Sequence, residues 1–111
     1  MPEQADYTTD YVRPLFPLEL GCQLRMRINV GRGRIAGFVV QLELEVDGQI
    51  SPVVRYDCAH GQPHRDTLNP RGVVIAKEWL PLDYDRALDQ ATRDVVGNWR
   101  RYREDFLAGM V

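Results

Sequence analysis

Lysine is almost missing from this chain. Of its 14 basic residues only Lys77 is lysine, and the remainder are arginine. Arginine grips carboxylate or phosphate through a planar fork, but a ratio alone names no ligand. Cysteine is scarce as well: Cys22 and Cys58 stand alone, with no C-x-x-C and no zinc-finger spacing. That excludes a disulfide scaffold and a thiolate zinc site, and it fits reduced thiols in the cytoplasm. No apolar run approaches the length of a membrane span, and Met1 to Asp10 is polar and acidic where a signal peptide needs an apolar stretch. The expectation is a cytoplasmic protein with no membrane partner. There is no excess of positive charge either. The net charge of −2 excludes an indiscriminate polyanion binder, because such affinity comes mostly from neutralising phosphates. A local basic patch stays open.

What is present suits one folded domain. A chain of 111 residues leaves no room for two ordinary ones. With 44% hydrophobic and 27% charged residues it can fill a core rather than remain disordered. Residues 1–16 read as a loose polar N-terminal arm, of the kind often disordered, whose second half, with Tyr11, Val12, Leu15 and Phe16, can dock on the body or a partner. Residues 17–111 read as a single domain.

Leu20, Cys22, Leu24, Met26, Ile28 and Val30 alternate with polar residues or glycine, which predicts a half-buried strand. Gly31-Arg32-Gly33-Arg34 reads as a turn, and Phe38, Val40, Leu42, Leu44 and Val46 define a second strand. Asp47-Gly48 signals a hairpin. An uninterrupted two-residue loop would oppose Val40 to Arg55 and mix the faces. A three-residue loop opposes Leu44 to Ile50, Val40 to Val54 and Phe38 to Tyr56, so it is the expected register. It turns Tyr56 and Cys58 inward and sends Arg55 and Asp57 to the open face beside Gln41, Glu43 and Glu45. Asn69-Pro70-Arg71-Gly72 has the residues of a type I turn between two more arms.

The period then changes. Tyr84, Leu88, Ala91, Val95, Trp99, Tyr102 and Phe106 recur at three or four, a helix stripe capped by Asp83 and ending near Leu107. Arg86, Arg93 and Arg100 fall on its solvated back. The fold class is α+β: an antiparallel β-meander of about four or five strands with one long C-terminal helix packed on one face. The large aromatics of the stripe also suit a homodimer contact.

Chemistry concentrates in Val53 to Asp66, which holds both histidines. His60 and His64 with Asp57 and Asp66 suggest a metal set, but Gly61 and Pro63 forbid a helix that would align the rings, and no third histidine completes it. No metal or other cofactor is expected. The same stretch carries the groups for metal-free RNA cleavage. His60 and His64 serve as acid and base, Arg55 and Arg65 hold phosphate, and Asp57 orients one of them. Arg25, Arg27, Arg32 and Arg34 form a candidate nucleic-acid-binding strip, which cross-strand pairing with Glu43 and Glu45 would partly neutralise. The bland reading of these charges is a solvated face on a non-catalytic interaction domain.

Val53-Val54-Arg55-Tyr56-Asp57, His60-Gly61 and His64-Arg65-Asp66 resemble a group of short uncharacterised bacterial proteins that are similar to the TumE-type toxins of toxin–antitoxin pairs. The likeness spans roughly Phe38 to Phe106 in layout and about fourteen positions in motif. It implies a bacterial toxin-like protein acting on RNA and neutralised by a helix-turn-helix antitoxin. The chain departs from that pattern in its fewer histidines, its slightly acidic charge and its arginine cluster on another strand.

Overall fold

The structure is a computed structural model and describes residues 8–58 and 61–109. Six strands form one antiparallel sheet in sequence order: β1 (Thr9–Pro14), β2 (Cys22–Gly31), β3 (Arg34–Val46), β4 (Gln49–Asp57), β5 (His64–Leu68) and β6 (Val74–Trp79). A single helix, α1 (Tyr84–Ala108), follows. The α+β class therefore holds, with one strand more than the periodicity suggested. The extra strand is β1, from the second half of the arm, whose Tyr11 pairs with Met26. All six of its residues are exposed, so burial writes no period into it.

The register of β3 and β4 corrects the three-residue loop. Asp47 and Gly48 have φ of 52° and 80°, and Val46 pairs directly with Gln49. These are the two positive-φ positions of a tight type I′ turn. The mixing of faces is avoided by a β-bulge. Glu43 opposes Pro52 and Leu42 opposes Val54, which leaves Val53 as the extra residue. Beyond it Val40 opposes Tyr56, and Gln41 opposes Arg55. The inserted residue shifts the pairing by one and restores an apolar face without lengthening the turn. Pro52, with no N–H to lose, sits where the ladder is interrupted.

The β2–β3 turn works similarly, with φ of 53° at Arg32 and 74° at Gly33. Before β2, Leu18–Leu20 form a short 3₁₀ turn, so the strand begins at Cys22. Gly21 closes that turn at a φ of 73°, and a Cβ there would come within 3.0 Å of the Glu45 carbonyl. At the other end of the meander, the Asn69 side chain accepts from the amides of Arg71 and Val73, and its carbonyl accepts from Gly72.

Asp83 caps α1 by accepting from the Arg86 amide at 2.9 Å. The helix runs unbroken through Gly97 and buries Ala87, Ala91, Val95, Trp99, Tyr102 and Phe106. It lies mainly across β2, β3 and β4, against Leu24, Phe38, Val40, Leu42, Val54 and Tyr56. Strands β5 and β6 extend beyond this cover as a wing.

Candidate functional site

Alternation sends every second side chain to the face away from the helix. Arg25 and Arg27 on β2, Gln41 and Glu43 on β3, and Arg55 and Asp57 on β4 line one shallow cleft of about 430 Å³ there. Glu43 is its anchor. Although it faces away from the helix it is only 4% exposed, because the long side chains around it fold over it. Its carboxylate accepts from Gln23 (2.7 Å), Arg25 Nε (2.8 Å) and Gln41 (2.5 Å). Burial alone would raise its pKa, but those three hydrogen bonds and the charge of Arg25 outweigh it and hold the carboxyl below its usual range. Gln41 uses its amide on Glu43, so its oxygen is left to accept from Arg55 Nε at 2.6 Å.

Next to Arg55 the face continues into β5. His64 is 3% exposed. Its Nε2 lies 3.0 Å from Asp57 Oδ1 and 3.4 Å from Asp66 Oδ2, and its Nδ1 lies 3.4 Å from the Gln62 carbonyl. The Trp79 ring covers it at a centroid distance of 5.1 Å. Asp66 Oδ1 is 2.9 Å from Lys77 Nζ, an ion pair without the alignment of a hydrogen bond. Lys77 in turn stands 5.4 Å from the centre of the Trp79 ring.

The candidate catalytic set is thus divided. Arg55, Asp57 and His64 share a neighbourhood on the open face, where Asp57 Oδ1 stands 3.0 Å from His64 Nε2. Arg65 is the neighbour of His64 in sequence, and alternation puts it on the other side of the sheet. It donates to the Tyr102 hydroxyl at 3.0 Å and pairs with Asp94 at 3.5 Å. His60 lies outside the described residues. The arginine strip divides too. Arg25 and Arg27 line the cleft, whereas Arg34 stands beside Asp83 and Asp85 near the start of α1. Arg32 is exposed in its turn. Pairing neutralises much of the strip, since Arg25 is bound to Glu43 and Arg27 Nε lies 3.4 Å from Asp10. Arg25, Arg27, Arg55 and Lys77 are matched on this face by Asp10, Glu43, Asp57 and Asp66, so it holds no net excess of positive charge. Among the described residues no three histidine, cysteine or acidic side chains are placed to hold a metal ion.

The family model described as "Domain of unknown function (DUF7718)" matches residues 1–110. The chain belongs to that family. No curated protein and no solved structure matches it.

This DUF7718 chain has a second polar centre that its sequence concealed, where the helix meets the sheet. Asp94 Oδ2 accepts from the hydroxyls of Tyr56 and Tyr102, each at 2.6 Å, and Oδ1 accepts from Asn98 at 2.8 Å. Burial would raise the Asp94 carboxyl, but these hydrogen bonds and the charge of Arg65 hold it low. The pKa values of Tyr56 and Tyr102 are pushed upward, first by burial and then by the carboxylate that accepts their hydrogen bonds. Such phenols stay neutral and cannot act as bases near pH 7. Their inward direction was legible for Tyr56, but the partner 38 positions away was not. Cys58 is half-buried, and burial raises its thiol to about 11, which makes it a poor nucleophile.

Proposed function

We propose that this protein is a non-catalytic protein-interaction domain that meets its partner through the exposed wing of its sheet. The observation that carries this reading is β6. All six of its residues are exposed, and together with Val73 it presents Val74, Ile75 and Trp79 to solvent at the edge of the sheet. Beside it runs a cleft of about 240 Å³ between the wing and the end of α1, lined by Val54, Leu68, Pro70, Ile75 and Phe106. An apolar strand edge next to an apolar cleft suits a partner that adds an extended segment and inserts a side chain. No helix among the described residues is long and apolar enough to cross a membrane.

Capture from an extract of the source cell compares the wild-type chain with Ile75→Asp, a change at a position 62% exposed that leaves the core untouched. The expected result is a protein retained by the wild type and lost by the variant. Equal retention by both overturns the reading.

The alternative is a toxin-like, metal-independent RNA-cleaving protein held by an antitoxin. It is supported by Arg55, Asp57 and His64 sharing a neighbourhood with Arg25 and Arg27. It is weakened by the cover over His64 and by Arg65 facing the helix. Incubation of RNA with the wild type and with a His60→Ala/His64→Ala variant, with and without EDTA, decides it. The interaction reading expects no cleavage; cleavage that survives EDTA and vanishes in the variant establishes the alternative.

A further inference from the structure

Among the described residues no strand pairs with the outer edge of β1 or of β6, and the two edges are unlike each other in a complementary way. We propose that the partner of β6 is β1 of a second copy of this chain, so that copies join head to tail into a continuing antiparallel sheet. The inference rests on the reading of β6 as a contact edge and names its occupant.

The backbone phases agree. In an antiparallel ladder, residues alternately turn their N–H and C=O toward one neighbouring strand and away from it. The Leu80 amide donates to the Pro63 carbonyl, so with the β5–β6 register Ala76 and Glu78 face β5 while Lys77 and Trp79 face outward. The Leu15 amide donates to the Cys22 carbonyl, so on β1 Tyr11 and Arg13 face β2 while Asp10 and Val12 face outward. Strand direction agrees too. Six alternating strands leave β6 antiparallel to β1, so a copy placed alongside keeps its helix on the same face.

Charge then chooses among the registers that satisfy the phase. Opposing Asp10 of the second copy to Lys77 sets unlike charges together on the open face. Lys77 is already 2.9 Å from Asp66, and Asp10 is 3.4 Å from Arg27. The join therefore continues an alternating row: Asp66, Lys77, then Asp10 and Arg27 of the next copy. Sliding by two residues sets Val12 against Lys77 and Tyr11 against Glu78 and loses that match. In the chosen register Tyr11 opposes Ala76 on the helix side. Its ring, 46% exposed on β1, then lies beside the smallest side chain of β6, at the mouth of the cleft lined by Leu68, Ile75 and Phe106. Pro14 ends the edge, since its outward position has no N–H to offer.

Cross-linking tests the register. Tyr11 and Ala76 would form a non-hydrogen-bonded pair with Cα atoms about 4.5 Å apart, within disulfide range. Tyr11→Cys and Ala76→Cys are both exposed substitutions, and circular dichroism confirms that each variant folds. Under mild oxidation an equal mixture of the two is expected to form a disulfide-linked pair, while neither variant alone exceeds the wild type with its own two cysteines. Sedimentation of the wild type from about 1 μM to about 1 mM should show masses growing past a dimer, because a head-to-tail contact leaves a free edge at each end of a pair. A mixture that links no more than the wild type, or a mass that stays monomeric throughout, overturns the proposal. Linking by Ala76→Cys alone overturns it in favour of symmetric β6 pairing. If these fail while Ile75→Asp still loses a captured protein, only the occupant is wrong. If the capture difference also fails, the reading of β6 falls with it.

Discussion

The two tryptophans mark two regions built on different terms. Trp99 sits under the helix at 8% exposure, where α1 closes over β2, β3 and β4. Trp79 sits on the wing at 51% exposure, with its ring against His64 and Lys77. The covered region buries apolar side chains on both sides of the seam and admits polar groups only as a satisfied cluster around Asp94. The wing sets the Trp79 ring against His64, holds Asp66 between His64 and Lys77, and leaves its own apolar edge exposed. The same residue type therefore serves stability in one place and supplies contact surface in the other, and the difference lies in what the helix reaches.

Truncating each tryptophan should separate the regions most sharply. Trp99→Ala is expected to cost about 3–5 kcal/mol in denaturant unfolding, through lost burial and the cavity left behind. A loss under about 1 kcal/mol would place Trp99 outside the core. Asp94→Ala should come next, at about 2–4 kcal/mol, because it strands the hydroxyls of Tyr56 and Tyr102 and leaves Arg65 short of its partner. Asp94→Asn, which keeps an acceptor, should lose less; equal losses would show that the hydrogen bonds are not what holds the seam.

Acid probes both polar clusters together. Asp94 and Glu43 have native pKa values below their unfolded ones, so they stabilise the fold above the unfolded values of about 4. That contribution is lost as pH falls through the lowered native values. The urea midpoint should therefore drop from pH 6 to pH 3, and Asp94→Asn should flatten that drop. An unchanged slope would remove Asp94 from the account. On the wing, Trp79→Ala should cost about 1 kcal/mol or less, since half the ring is already in water. In single-tryptophan variants, acrylamide should quench Trp79 strongly and Trp99 weakly. The smallest effect belongs to the helix surface. Breaking the Asp89–Arg93 pair, 3.2 Å apart and exposed, with Asp89→Ala should change stability by about 0.5 kcal/mol or less.

How much of this was legible follows from burial. The strands with one buried face announced themselves by alternation, and the helix did so by its stripe from Ala91 to Phe106. β1 stayed hidden because all its residues are exposed, and the β3–β4 bulge stayed hidden because a single extra residue leaves the alternation on either side intact. Of the candidate site, the pairing of Arg25 with Glu43 could be read from strand faces, while Asp57 could be placed only as the partner of some histidine or arginine nearby. Asp66 could be placed beside His64 from its position two residues on, but Lys77 and Trp79 could not, since they join the site only when β6 folds back on β5.

The sequence by itself determined the class of the fold, the strand–turn punctuation from Asp47-Gly48 to Asn69-Gly72, and the helix with its cap at Asp83. These are local matters, set by periodicity and by which residues tolerate a turn. Only the tertiary structure decided that Arg65 meets Tyr102 and Asp94, that Tyr56 finds Asp94, and that the helix stops short of covering β6. Those depend on register and on where one element ends against another. Such contacts between distant positions leave no period in the chain.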